Sequence, residues 1–333
     1  MSKFKKNLVY FVIEASIVLI IVELFLRIFD PIGYDYFDEA TRYSSNMKPD
    51  SRFEYIHNPG YNDLLQGVQV LINNQGFRGP NFEVTKPDEK RRLMILGDSM
   101  VFGWGAPQNK IFPVQLQNLF DQSKIDIEVI PAGVGSWNTR TEYEYLKSLG
   151  LDLKPDIILL LITENDLEPH KNCKTDVSKE LLFANTNESS KSIFEKVWMA
   201  ATYRFYTFGY IQYYIKINSE RDKYLKYTKD TPQWEDAKLA LNGIITICRE
   251  ENISLIIFLY ASEDYVSGSN VFRLYKEFLN LNKIQFFTLP DTLFSKIKYR
   301  NTIVDGHPNA QGHKIIANEI FKVITSKAED YND

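Results

Sequence analysis

Leu93-Met94-Ile95-Leu96-Gly97-Asp98-Ser99 is an apolar run that stops at a small residue, an acid and a hydroxyl. A strand buried on both faces of a parallel sheet reads as about four to eight apolar residues. In open α/β sheets, chemistry collects outside the carboxyl ends of such strands. Ser99 is therefore predicted at the mouth of a sheet, where it matters only if a base can reach it. Near the far end, Asp305-Gly306-His307-Pro308-Asn309 sets an acid and an imidazole two positions apart, just ahead of a helical pattern from Ala310. Serine early, with Asp and His late, is one chain order of the hydrolytic triad.

The rest of the pattern agrees with such a sheet. Apolar strand-like runs fall near 92–97, 126–131, 156–162, 253–260 and 284–289. Between them, 112–122, 139–149, 234–251, 270–281 and 310–326 carry helical spacing. The order is βαβαβ, an insertion over about 170–233, then αβαβα, which predicts an α/β fold with a parallel sheet and right-handed crossovers.

Taken together, Gly97-Asp98-Ser99, Thr163-Glu164-Asn165-Asp166 and Asp305-Gly306-His307-Pro308-Asn309 resemble the sequence blocks of the SGNH (GDSL-type) hydrolases. The resemblance runs from about residue 74 to about 325 and is weakest between about 170 and 235. It implies a flavodoxin-like doubly wound parallel sheet (the SGNH hydrolase fold), no cofactor and no metal. Carried onto this chain, it implies Ser99 as nucleophile, His307 as base and Asp305 as the acid that orients the imidazole. It also implies an oxyanion hole of the Ser99 N–H, a backbone N–H from Gly135 with Ser136 next in line, and the Asn165 side chain.

Three positions depart from the family pattern. Thr163 stands where the third block has Gly. Pro131 stands near the Asn position of the second block, and Ser136 where one alignment wants its Gly. Only Gly306 separates Asp305 from His307, where the family has two residues. A backbone N–H serves from any non-proline residue, so an oxyanion hole survives the second departure. His313 competes with His307 but lies within the helical pattern, where packing is the usual role. His57 and His170 match no block. Asp98, next to the nucleophile on a strand end, is assigned to loop hydrogen bonding. Pro308 and Asn309 suit a rigid turn and a helix cap behind the imidazole.

Lys3, Lys5 and Lys6 precede an apolar run over 8–29, about the length that spans a bilayer core. It reads as a membrane anchor with its N-terminus in the cytoplasm and the catalytic part extracytoplasmic. Glu14, Glu23 and Arg27 weigh against it; an interfacial or domain-packed helix is the alternative. Phe29-Asp30-Pro31 offers no small-residue cleavage site. The expected organisation is an anchor at 1–30, an irregular neck at 31–90 and a hydrolase-like domain at 91–330. Within the neck, 68–73 reads as a strand, 74–80 as a turn and 86–92 as a charged hinge. Arg78 is either a ligand for a substrate carboxylate or a surface arginine paired locally.

The insertion crowds Tyr203, Phe205, Tyr206, Phe208, Tyr210, Tyr213 and Tyr214 together. Such aromatics suit sugar stacking, a membrane interface, or helices capping the sheet edge. A net charge of −4 gives no basic footprint, and nucleic acid is excluded as an expected partner. Cys173 and Cys248 have no zinc-type spacing and are expected to be unpaired rather than a disulfide. A tethered, outward-facing enzyme meets glycans and lipids first. The leading expectation is thus a serine esterase acting on acyl (acetyl) esters of cell-envelope carbohydrate. An O-acetyltransferase on a surface glycan, a membrane-tethered glycan-binding protein with weakened catalysis and a phospholipid-directed enzyme are the alternatives; oligomeric state is not indicated.

Overall fold

The computed structural model of the chain describes residues 3–30, 39, 42–43, 46–169, 193–194, 197, 201, 204–220, 224–262, 269–302 and 305–330. Strands β1 (Met47–Asp50) with β2 (Glu54–His57), and β3 (Asn62–Leu65) with β4 (Val68–Leu71), form two antiparallel hairpins. The central sheet is made of β5 (Arg91–Gly97), β6 (Ile127–Gly133), β7 (Ile157–Ile162), β8 (Ser254–Leu259) and β9 (Phe286–Thr288). All four pairings are parallel, in the order β6-β5-β7-β8-β9. Counted along the chain this is 2-1-3-4-5, the flavodoxin-like doubly wound order.

Alternation within β5 makes the two layers. Met94 and Leu96 pack into a core with Tyr145, Trp234, Ile244 and Phe272; Leu93 and Ile95 point the other way, among Phe112, Phe120, Ile316 and Ile320. The helices supplying these side chains are α4 (Thr139–Ser148), α6 (Pro232–Glu250) and α7 (Asn270–Leu281) on one face. On the other are α3 (Phe112–Gln122) and α9 (Ala310–Asp330). Every residue of β7 is buried, as a strand covered on both sides requires. The expected strands and helices all occur, with ends shifted by a few residues. The short helices α2 (Ser99–Phe102) and α8 (Asp291–Ser295) add to them.

The described part of the neck, expected to be irregular with short strands, contains the two hairpins, and its rings join the main core. Phe53, Tyr55 and Phe77 are at most 1% exposed and belong to the cluster that holds Met94 and Trp137. Tyr55 Oη donates to the Gly135 carbonyl at 2.9 Å, and Trp137 Nε1 donates to the Tyr55 carbonyl at 2.9 Å. The charged hinge is corrected too. Arg92 lies fully buried inside β5, bonded to Glu128 at 2.7 Å and to the carbonyls of Glu83, Val84 and Leu153. Lys86 pairs with Asp156 at 2.5 Å, so these charges fasten the neck to the sheet.

Helix α1 (Lys3–Phe29) projects with its apolar side chains exposed. Its Phe4–Phe29 stretch, whose most apolar 18-residue window has a mean hydropathy of 2.5, is long and apolar enough to cross a membrane; length and composition alike also suit a signal sequence. In the aromatic insertion, α5 (Tyr206–Glu220) is described, whereas His170, Cys173, the whole polar stretch over 175–191, and Tyr203 lie outside the described residues. Cys248 is a free, buried thiol.

Where β5 hands over to α2, the backbone of β6 passes so close that only glycine fits. A Cβ at Gly133 would lie 2.5 Å from Val101 Cβ and 2.6 Å from the Phe102 backbone nitrogen. Gly133→Ala is expected to lower stability by about 1–3 kcal/mol, the usual cost of overpacking a tight core. A urea titration monitored by far-ultraviolet circular dichroism measures it, and an unchanged midpoint would show that α2 and β6 can move apart.

Candidate active site

Three chain segments meet above the carboxyl ends of β5 and β7, at the switch point of the sheet. Ser99 opens α2 directly after β5. Asp98 caps that helix, its carboxylate accepting from the Met100 N–H at 2.9 Å, and Gly103 ends it in the left-handed region at φ 81. With no earlier turn to receive it, the Ser99 N–H has no acceptor within the helix.

His307 arrives on the loop before α9, and that loop is fixed on both sides. Asn309 Oδ1 accepts from the N–H groups of Gln311 and Gly312 at 3.0 and 3.2 Å, capping α9. Arg300 and Pro308 pair as an antiparallel bridge, and the Asn301 N–H donates to the His307 carbonyl at 3.0 Å. Asn301 Nδ2 also donates to the Trp104 carbonyl at 2.6 Å, tying this loop to the one after the nucleophile. The result is a Ser99 Oγ to His307 Nε2 distance of 2.8 Å and a His307 Nδ1 to Asp305 Oδ1 distance of 2.5 Å. The contracted spacing is accommodated because Asp305 Oδ1 accepts from the backbone N–H of His307, at 3.1 Å, as well as from its ring. The Asp305 side chain is 4% exposed and that of His307 23%.

Electrostatics poise the imidazole above its ordinary range. Burial pulls the His307 pKa down, but the charge of Asp305, its hydrogen bond and the charge of Asp98 together outweigh it and raise the value above 6.5. Burial also raises Asp98, against the Met100 N–H, His307, Thr163 and Asn165, which favour its charged form.

Thr163, in the place of the family's glycine, has a definite task. It caps the turn Glu164–Leu167, and Asp166 Oδ2 accepts the Thr163 N–H at 2.5 Å. Its hydroxyl lies 3.0 Å from Asp98 Oδ2 and 3.1 Å from Asp166 Oδ2, and also contacts Asn165 Oδ1. Burial pushes Asp166 up to about 7, against bonds from Thr139 and Thr163. Asn165 lines the same pocket as Ser99 and His307, and its side chain also hydrogen-bonds Asp98.

Gly135 is not placed as expected. Its N–H donates to Tyr43 Oη at 2.7 Å, inside the neck rather than in the pocket. Tyr43 Oη in turn lies 2.8 Å from His57 Nε2, and His57 Nδ1 lies 2.8 Å from the Gly76 carbonyl. Burial lowers His57 to about 4, so its ring is neutral: Nδ1–H donates to Gly76 and Nε2 accepts from Tyr43. Ser136, the next residue, takes φ 64, the left-handed conformation that a glycine ordinarily supplies.

Arg78 is corrected as well. It is 1% exposed, neither a surface residue nor open to substrate. Its guanidinium donates to the carbonyls of Gly103 at 2.6 Å, Ala106 at 2.7 Å and Gln69 at 3.2 Å, and to Gln108 Oε1 at 2.9 Å. It thereby folds the loop behind α2. His313 packs as expected, fully buried and stacked on Phe112, with Nδ1 accepting the Phe112 N–H at 3.2 Å.

The pocket over Ser99 has a volume of about 420 Å³ and a wall that includes Tyr224, Tyr260, Phe272, Phe294 and Tyr299. Arg300 is the only Lys or Arg among its described lining residues. Sequence reasoning assigned none of these six to the site, since they come from segments bearing no block. The single legible signal was the nearness of Tyr299 and Arg300 to His307. Among the described residues, no three His, Cys, Asp or Glu side chains group as ligands for a metal ion.

No family model matches the chain, and no curated protein matches it. Solved structures similar to it include an esterase, EstA, from Pseudoalteromonas sp., at 13% identity and TM-score 0.45, over 72% of this chain and 100% of that one. A two-domain esterase active on acetylated mannans is 12% identical with TM-score 0.43, over 71% of this chain and 49% of that one. A lipase/acylhydrolase from Enterococcus faecalis is 12% identical with TM-score 0.41, over 71% and 96%. Likenesses of this degree carry no weight for function, and the strand order stands on its own registers.

A base works only when neutral, so a raised His307 pKa places the acid limb of kcat/KM for ester cleavage above pH 6.5, with activity rising as pH rises through it. In Asp305→Asn the raising charge is gone. The limb is then expected to move to lower pH while the plateau falls by roughly 10⁴-fold. A pH–rate series on both proteins reads the two effects; an unmoved limb would remove Asp305 from this role.

Proposed function

We propose that the protein is a membrane-anchored serine esterase that hydrolyses small acyl esters, acetyl esters foremost, on cell-envelope carbohydrate. The observation that carries the reading is the continuous Ser99–His307–Asp305 hydrogen-bonded chain at 2.8 and 2.5 Å on the floor of an open pocket.

In this reading the Ser99 hydroxyl donates to His307 Nε2, while Nδ1–H donates to Asp305. A serine hydroxyl is a weak nucleophile until a base takes its proton. As Oγ bonds to the ester carbonyl carbon, the proton passes to Nε2 and Asp305 stabilises the imidazolium. The proton then goes to the departing alcohol oxygen as the ester C–O bond breaks. Water, deprotonated by the same Nε2, releases the acid and restores Ser99. The developing oxyanion is met by the Ser99 N–H, the Asn165 side-chain N–H and, in place of Gly135, the N–H of Ser136. One such donor is worth about 2.7–4 kcal/mol of barrier.

Two features support the substrate class. The aromatic wall formed by Tyr224, Tyr260 and Tyr299 suits the apolar faces of sugar rings. The exposed α1 suits a protein held at a membrane, with lysines before the span and the enzyme outside.

A fluorophosphonate probe is expected to label the wild-type protein, to leave Ser99→Ala unlabelled and to label His307→Ala far more slowly. Turnover of p-nitrophenyl acetate should fall by about 10⁴- to 10⁶-fold in either variant. Wild-type protein that is folded, by circular dichroism, yet unreactive would sink the esterase reading. Turnover that requires an added glycan acceptor would replace hydrolysis by transfer.

A further inference from the structure

Glu23 is one of two acids, with Glu14, inside a largely apolar stretch, and in hydrocarbon an unpaired carboxylate is costly. Its side chain is only 16% exposed although most of α1 is bare. What covers it is the start of α5. Glu23 Oε1 accepts the Tyr206 N–H at 2.9 Å and Arg27 Nε at 2.8 Å, while Oε2 accepts the N–H and hydroxyl of Thr207 at 2.9 and 2.8 Å. The first N–H groups of a helix lack internal acceptors and carry partial positive charge, so the carboxylate and the helix start satisfy each other. Arg27 donates to the Arg204 carbonyl at 2.5 Å and lies 4.8 Å from the centre of the Tyr206 ring. One helical level further, Tyr210 Oη donates to Asp30 Oδ1 at 2.7 Å.

These contacts give α5 a direction and a depth. Glu23 meets residues 206 and 207, and Asp30 meets 210, so both helices advance the same way. Six residues separate Glu23 from the end of α1, which at 1.5 Å per residue puts the first turn of α5 about 9 Å inside that end. The 27 residues of α1 make it about 40 Å long against a hydrocarbon core of about 30 Å, so that level falls near the boundary between acyl chains and headgroups.

The exposed side chains match that level. Phe205, Ile211 and Ile215 are 48%, 43% and 54% exposed, and from Tyr206 to Ile215 there is no charged residue. On α1, Phe25 and Phe29 are 52% and 64% exposed, their rings 4.7 Å apart. Both helices expose apolar side chains within about three turns of the Glu23 clasp, and Tyr206 and Tyr210 between them are of the type enriched at membrane interfaces.

We infer that α5 is a membrane-interface helix, clasped to the outer end of α1 by Glu23 and Arg27, with Phe205 and its neighbours in contact with phospholipid. This rests on α1 being the membrane anchor. The clasp holds the insertion against the bilayer, so the hydrolase domain stands at a fixed height above its membrane instead of swinging on a tether.

The test uses full-length protein in vesicles of phosphatidylcholine and phosphatidylglycerol, with p-benzoylphenylalanine placed singly at Ile17, Phe205 or Leu281. Irradiation is expected to give phospholipid adducts at Ile17 and Phe205 and none at Leu281, which is 80% exposed on α7. Glu23→Ala combined with Arg27→Ala should abolish adducts at Phe205 and keep those at Ile17. Adducts at Ile17 alone, or cross-links from Phe205 only to protein, would overturn the inference and leave the anchor standing. No lipid adduct at either position would overturn the anchor reading and this inference with it.

Discussion

Adjacency of three parallel strands is the constraint on which everything else hangs. Because β5 lies between β6 and β7, the loops leaving their carboxyl ends are neighbours, and Ser99, the 133–136 loop and Asn165 are close without any side chain having to reach. Hydrogen bonding between backbones sets this arrangement, and the apolar residues that bury the strands are indifferent to the chemistry above them. What remains is to bring in an imidazole from the far end of the chain. The Arg300–Pro308 bridge and the Asn309 cap do so by holding the loop before α9 as firmly as a strand end.

Around this frame, buried polar groups act as struts. Arg78 spends its donors on backbone carbonyls of the loop behind α2 and on the Gln108 amide oxygen. A guanidinium so placed is stable only while those carbonyls stay put, which makes it a sensor of the loop's shape. Arg92 does the same for the junction of neck and sheet, with Glu128 balancing its charge.

The sequence carried the sheet plainly because its strands are long apolar runs set between helices of clear period. β7 is the purest case, six buried residues followed by the block that contains Asn165. Ser99, His307 and Asp305 were legible for a different reason: each lies in a short stretch whose residue types have few other uses together. Thr163 read only as a departure from the family's glycine, whereas its neighbour Asp166 turns it into a cap. Gly135 misled because a glycine is judged by what its backbone can do, and the partner that claims its N–H, Tyr43, is 92 positions away. The pocket's aromatic wall was invisible for the same reason, being assembled from segments that no local pattern connects.

Gly135, Tyr43, His57 and Gly76 form a one-way series in which each group gives a single proton to the next. Severing the polypeptide at the foot of β5 would keep every recognisable block, yet strand a buried amide and strip the rings of Phe53 and Tyr55 from beneath Trp137. The smallest autonomous unit of this fold therefore begins upstream of Tyr43, in a region that lines no part of the pocket over Ser99.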